Sequence, residues 1–257
     1  MGKKPELTKA RRVGLICEAI VVYGSAPLII YFGLVSIGCL LPMLGIWAVA
    51  SLLILRRDPE FDNARLWNFS GFTARRKVVM NLFAVGVILI FAFELLLLHA
   101  KDRGWFAVPV QVDWFALPRH KPLLYIFVMI AYPLLSVYPQ EVIYRGLFYQ
   151  RYAPAFGSTK VAIVVNALFF GWGHIIFRNP VAIGLTLIGG AIFSLTYIRS
   201  RSLLASSIEH SLYGCLLFTI GLGWYFIGGS VAAVERTIKQ VVPVEMVDKP
   251  MPGEPST

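Results

Sequence analysis

A carboxylate, an arginine and two histidines lie in three separate apolar stretches of this chain. Glu141 and Arg145 are four residues apart and therefore share one face of a helix. His174 and His210 lie in two later apolar stretches. A carboxylate and two imidazoles can bind a metal ion or activate a water molecule. Ionisable groups are costly inside apolar segments and tend to be functional there, so these residues are candidates for a catalytic site.

The chain that must position these residues is strongly apolar. Of its 257 residues, 57% belong to the AVILMFWYC set and 15% are charged, against about 45–50% and about 25% in soluble proteins. This composition excludes a disordered chain and a small disulfide scaffold. The three cysteines all lie in apolar runs, as packing residues do. The sequence predicts an all-α, polytopic transmembrane helical bundle of about seven spans, within a range of six to eight.

The apolar runs also predict where the spans lie and how the chain is divided. We expect an N-terminal three-span region at 1–122, a catalytic core of four spans at 123–228 and a partly disordered tail at 229–257. The spans themselves are predicted at 13–55 (two helices with a turn near 33–42), 78–98, 123–148, 161–177, 181–198 and 203–228.

The formal net charge of +10 would suggest nucleic-acid binding in a soluble protein. Here the basic residues gather at the N-terminus and in alternate loops, near 56–77, 151–160 and 199–201. This asymmetry follows the positive-inside rule. It predicts an integral membrane protein with a cytoplasmic N-terminus, in the plasma (inner) membrane of a prokaryote. The expected partners are membrane lipid and a peptide or protein substrate, and no nucleic acid.

The polar residues of the spans also have a purely structural interpretation. Glu141 and Arg145 could form an internal ion pair that lowers the cost of burying both charges, and the same pair could position a catalytic carboxylate. Counting about 1.5 Å per helical residue from the basic loops, Glu141, His174 and His210 could meet in the inner half of the membrane. The sequence has no H-E-x-x-H zinc helix, no G-x-S-G serine site, no pair of membrane aspartates and no glycine-rich phosphate loop.

At these residues the chain resembles the CPBP family, which is also called the CAAX protease and bacteriocin-processing, or Abi, family. The signature of that family is three helical blocks, E-E-x-x-x-R, F-x-x-x-H and H-x-x-x-N. The corresponding blocks here are Gln140 to Arg145, Phe170 to His174, and His210 to Gly214, within a resemblance that covers roughly 123–218. The resemblance implies a membrane-embedded endopeptidase in which a glutamate and a histidine activate a water that attacks a peptide bond near the cytoplasmic face.

The resemblance also implies a role for each candidate residue. Glu141 and His174 would be the base and its partner, Arg145 would orient Glu141, and His210 would stabilise an oxyanion or bind a metal. If a metal is present, the resemblance implies Glu141, His174 and His210 as its ligands. Zinc would suit such a set, whereas a water activated by glutamate needs no metal.

Two positions depart from the family signature. Gln140 replaces the first glutamate, and a glutamine cannot take a proton from water near neutral pH. Gly214 replaces the asparagine and has no side chain, so Ser206 or Asn166 would have to supply a hydrogen bond. The alternative to a protease with Glu141 as its base is therefore a catalytically inactive immunity, scaffold or chaperone-like membrane protein. A third hypothesis, a proton-coupled transporter, predicts internal repeats, and the sequence has none.

Overall fold

The computed structural model describes residues 7–103 and 113–226, and every regular element in this part of the chain is helical. Seven of these helices are long and apolar enough to cross a membrane, which confirms the predicted all-α polytopic bundle. We number these helices in chain order as α1 Lys9–Tyr31, α2 Ile37–Arg57, α3 Phe69–Asp102, α4 Pro122–Phe156, α5 Thr159–Phe177, α6 Pro180–Ser200 and α7 Leu203–Ile220.

Polar side chains mark the starts of four spans. In each case an oxygen of the residue before the helix accepts a hydrogen bond from a backbone N–H of the first turn, which would otherwise lack a partner. The capping residues are Thr8 for α1, Ser158 for α5, Asn179 for α6 and Ser202 for α7. These boundaries lie within a few residues of those predicted from the apolar runs.

Helix α4 is the irregular element of the bundle and carries the first motif block. Its α-helical start at Pro122–Ala131 gives way to π-helical turns at Tyr132–Val137 and Val142–Tyr152. Between the π-helical turns lies a single α-helical turn, Tyr138–Glu141. Proline has no N–H to donate, and Pro133 and Pro139 both lie in this region. Short π-helical segments are frequent at functional sites because they change the direction of side chains along the helix.

Two neighbouring helices hold the π-helical turn of α4 in position. The Tyr23 hydroxyl of α1 donates to the Ile143 carbonyl at 2.8 Å. The Asn166 amide of α5 donates to the Tyr144 carbonyl at 2.6 Å. The Tyr23 side chain is fully buried, and its ring contacts the rings of Trp47, Tyr144, Phe148, Tyr152 and Phe169. The core of the protein therefore surrounds α4, whereas the outer faces of α1–α3 expose large apolar side chains, as helices do toward lipid.

One end of the bundle collects the basic loops. The Ser202 hydroxyl between α6 and α7 donates to the Asn68 carbonyl before α3 at 2.8 Å. Arg151 near the end of α4 donates two hydrogen bonds to the Glu18 carboxylate of α1, at 2.8 and 2.9 Å. We call this end the basic face; it comprises the start of α1, the loop 58–68, the turn 157–158 and the turn 201–202. The predicted tail, 229–257, lies outside the described residues, and the division at residue 122 stays a prediction.

Candidate active site

A cavity of about 900 Å³ opens within the bundle and is lined by residues of every span. Most of its lining is apolar. Three polar side chains that the sequence analysis singled out, those of Gln140, His174 and His210, lie on its wall. The second and third motif blocks therefore meet the first block at one cavity.

His210 is held by a buried chain of charged groups. Its Nδ1 atom lies 3.0 Å from Glu141 Oε1, and Arg145 Nε lies 3.4 Å from Glu141 Oε2. The side chains of Glu141 and Arg145 have no exposed surface. Since a carboxylate only accepts, Nδ1 of His210 donates, and Nε2 of the neutral ring is left as an acceptor. The ring stacks on Phe193, with centroids 4.5 Å apart, so the orientation of His210 is fixed on two sides.

His174 has a similar arrangement at the end of the regular part of α5. Its Nδ1 atom lies 2.7 Å from the Phe170 carbonyl oxygen. Because a carbonyl only accepts, this nitrogen donates and Nε2 is again left as an acceptor. The Phe170 ring contacts both imidazoles, at centroid distances of 4.8 Å to His174 and 5.5 Å to His210. The two histidines thus border one cavity on either side of a shared phenylalanine.

Glu141 is brought together with His210 but does not itself line the cavity. Its carboxylate lies behind His210, with Arg145 on its other side. The Arg145 guanidinium lies over the Phe170 ring at 4.5 Å and near the Phe193 ring at 5.4 Å. Cation–π contacts of this kind stabilise a charge that is removed from water. This geometry suits a carboxylate that orients an imidazole, whereas the resemblance implied that Glu141 itself activates water.

Gln140 occupies the cavity wall where the signature has its first glutamate. Its Nε2 atom donates to Ser136 Oγ at 2.8 Å, whereas its Oε1 atom is buried without a hydrogen-bond partner. Adjacent residues of a helix point in directions about 100° apart. Gln140 therefore faces the cavity while its neighbour Glu141 faces the protein interior.

Tyr132 fills the space that an asparagine at position 214 would need. A Cβ atom built on Gly214 would overlap the ring and hydroxyl of Tyr132. Tyr132 lines the cavity, and its ring lies edge-on to His210 with centroids 6.2 Å apart. No motif in the sequence indicated Tyr132. A possible signal was the glycine itself, because a glycine inside a helix permits close approach of a large side chain.

Restoring the family asparagine by Gly214→Asn is expected to destabilise the protein. The new side chain would collide with the half-buried Tyr132 ring, and overpacking of this kind typically costs about 1–3 kcal/mol. Thermal unfolding in detergent micelles measures the effect. Gly184→Asn on α6, where an added Cβ meets nothing within 4 Å, is the matched control. Unchanged stability in Gly214→Asn would show that Tyr132 can move aside.

The two predicted substitutes for that asparagine lie elsewhere. Asn166 is fully buried and connects the Tyr144 carbonyl with the Ser194 hydroxyl, which donates to Asn166 Oδ1 at 2.9 Å. Ser206 Oγ donates to the Leu203 carbonyl at 3.0 Å. Neither side chain lines the cavity. Asn166 supports α4, and Ser206 lies beside the Glu141 carboxylate.

The proposed metal ligands do not assemble into a metal site. Among the residues that the structure describes, no three His, Cys, Asp or Glu side chains are grouped so that they could hold a metal ion. Glu141 Oε1 and His210 Nδ1 are bonded to each other. Nδ1 of His174 is bonded to a backbone carbonyl. The arrangement of Glu141, His174 and His210 therefore does not fit zinc.

Residues 122–216 match the model of one protein family, described as type II CAAX prenyl endopeptidase Rce1-like. The matched segment runs from the start of α4 into α7 and contains all three motif blocks. No curated protein and no solved structure matches the chain. The family match confirms the resemblance predicted from the motif residues.

Proposed function

Since residues 122–216 match the family of type II CAAX prenyl endopeptidases, we propose that this chain is an intramembrane endopeptidase whose catalytic base is His210. The observation that carries the proposal is the 3.0 Å contact between His210 Nδ1 and Glu141 Oε1, with His210 on the cavity wall. A carboxylate that accepts from Nδ1 fixes the tautomer and leaves Nε2 free to take a proton. Glu141 is then a positioning residue, and Arg145 balances its charge.

In this mechanism the two imidazoles hold one water molecule. The water has two O–H groups, which match the two acceptor nitrogens, Nε2 of His174 and Nε2 of His210. His210 takes one proton as the water oxygen attacks the carbonyl carbon of the peptide. The Glu141 carboxylate stabilises the imidazolium that forms. His210 then passes the proton to the leaving nitrogen as the C–N bond breaks, which gives an amine and a carboxylic acid. The acid releases the second proton of the water to solvent and becomes a carboxylate.

Tyr132 is the donor that we propose for the oxyanion of the tetrahedral intermediate. Its hydroxyl occupies the space beside Gly214 where the family signature has an asparagine. A phenolic O–H donates as an amide N–H does. The hydrogen-bond donor that is missing at Gly214 of α7 is then supplied by the Tyr132 hydroxyl of α4. An oxyanion donor is typically worth about 10²–10³ in turnover rate.

The substrate class and the side of attack are part of the proposal. The largely apolar cavity suits a peptide that carries a lipid or arrives from the bilayer, as a prenylated peptide does. We propose that the basic face is cytoplasmic, in the inner membrane of a prokaryote, because the helix ends and loops at this end carry most of the arginines and lysines. The scissile bond would then be cut on the cytoplasmic side of the membrane.

Gln140 supports a second candidate function, a membrane protein that binds peptides without cutting them. A glutamine on the cavity wall offers an amide donor and acceptor but no base. In that case the cavity would hold a partner segment, and the Glu141–His210 pair would be structural. The two candidate functions differ in whether the native chain releases a cleaved product.

Gln140→Glu is expected to maintain or raise cleavage, because it adds a carboxylate beside the two histidines on the cavity wall. The measurement uses the purified protein in liposomes and a library of quenched fluorescent peptides, each with and without a farnesylated cysteine. Gln140→Met, which keeps the size but removes both polar atoms, is the matched control. Cleavage by the Gln140→Glu variant together with none by the native chain would favour the binding function.

A further inference from the structure

Buried polar atoms without hydrogen-bond partners gather behind His210, on the side toward the basic face. Each such atom costs about 1–3 kcal/mol if it is left unpaired. Native proteins usually satisfy atoms of this kind with internal water. Among the described residues, this group comprises Glu141 Oε2, the three guanidinium nitrogens of Arg145, the Tyr149 hydroxyl, Ser207 Oγ, both carboxylate oxygens of Glu209, and Arg65 Nε.

The first wall of this region runs along α4 toward the loop before α3. Arg145 and Tyr149 follow Glu141 at intervals of four residues. The Tyr149 ring lies 5.7 Å from the Tyr197 ring of α6, measured between centroids. Tyr197 in turn interacts with Arg65, whose side chain is only partly buried and lies in the loop 58–68 of the basic face. Polar groups therefore follow one another from Glu141 to the surface.

The second wall comes from the first turns of α7. Ser207 precedes His210 by three residues, so it lies one turn nearer to the basic face on the same side of the helix. Glu209 is fully buried and is close enough to Glu141 and Arg145 to interact with their charges. Thr196 of α6 lies beside its carboxylate. The two walls enclose a region that is rich in polar groups.

Bound water would stabilise the buried charged groups of this region. Arg145 provides one cation for the two carboxylates of Glu141 and Glu209, and no nitrogen of Arg145 makes a hydrogen bond of ordinary geometry. A buried carboxylate without hydrogen bonds is very costly. The cavity on the other side of His210 is mostly apolar and holds water poorly, whereas each hydrolysed peptide bond consumes one water molecule.

We propose that these side chains line an internal water path that leads from the basic face to His210. We infer that this path supplies the hydrolytic water and removes product protons, and this role rests on the proposed function. The path itself depends only on the polar walls of α4, α6 and α7. The prenyl or peptide substrate would enter through the apolar cavity, and water would enter from the opposite side of His210.

Cysteine labelling tests the path without a substrate. Ser207→Cys is made in a chain whose Cys17, Cys39 and Cys215 are replaced by alanine, and membrane vesicles are treated with methanethiosulfonate ethylammonium. This reagent is small and charged and labels thiols that contact water. We expect Cys introduced at position 207 to react several-fold faster when the basic face is exposed to the reagent than when the opposite face is.

Ser51→Cys is the matched control, because Ser51 is fully buried in α2 and its hydroxyl is bonded to the Trp47 carbonyl at 2.8 Å. Thr196→Cys, beside the Glu209 carboxylate, is a second reporter in case the first variant does not fold. Reaction of both reporters at the rate of the control would overturn the proposal. Because labelling requires no cleavage, that result would leave the proposed function untouched, and an inactive protein could still label as expected.

Discussion

Replacing His210 by asparagine is expected to lower the rate of peptide cleavage by about 10²–10⁴-fold, the usual contribution of a general base. The variant removes Nε2, the nitrogen that takes the proton from water. The asparagine amide lies two bonds from Cβ, as Nδ1 does, so its N–H can still donate to the Glu141 carboxylate, the buried charge keeps a partner and the protein should remain folded. The rate of peptide cleavage is measured in liposomes, and the thermal unfolding midpoint measures whether the protein remains folded.

Two further histidine variants make this result specific. His174→Asn removes the second acceptor for the water but leaves the base, so we expect a smaller loss of cleavage than in His210→Asn. His120→Asn changes an exposed histidine at the end of the short helix Ala116–His120, 3.8 Å from Asp113, and should have no effect on cleavage. Unchanged cleavage by His210→Asn would exclude His210 as the base. A loss of cleavage that matches the loss of folded protein would make His210 a structural residue only.

The fold was predictable because a bilayer leaves few alternatives. Every backbone N–H and C=O in lipid must be paired within the chain, so a long apolar run becomes a helix. The apolar runs therefore located all seven spans. The structure adds that Ser158 and Ser202 cap the starts of two of them. The N-terminus of α4 was also close to its predicted position, because Pro122 stands in its first turn.

The direction of each side chain was harder to predict. Gln140 and Glu141 are neighbours, and which of them faces the cavity depends on how α4 is wound. The π-helical turns on both sides of these residues change that winding, and no periodic pattern of apolar residues in the sequence predicts them. Tyr132 was missed for a related reason. Its contact with Gly214 joins residues of two different helices, and only the packing of α4 on α7 reveals it.

Replacing Arg145 by methionine is expected to lower the free energy of unfolding by about 3–5 kcal/mol, the usual cost of breaking a buried ion pair on one side. The variant leaves the Glu141 carboxylate fully buried without its arginine partner, although His210 and Ser206 remain beside it. It also removes the cation that lies over the Phe170 ring. Arg145→Lys should have an intermediate effect, because lysine keeps the charge but not the planar guanidinium.

A double variant separates the stability of this pair from its chemistry. When both partners of a buried ion pair are replaced by apolar residues of similar size, the cost is often small. Arg145→Met combined with Glu141→Leu should therefore recover much of the stability that Arg145→Met loses. It should not recover cleavage, because His210 would lack the carboxylate that fixes its tautomer. Denaturant unfolding in detergent, followed by tryptophan fluorescence, gives the stabilities, and the liposome assay gives the rates. A stable double variant that cleaves at the native rate would show that the Glu141 carboxylate has no part in catalysis.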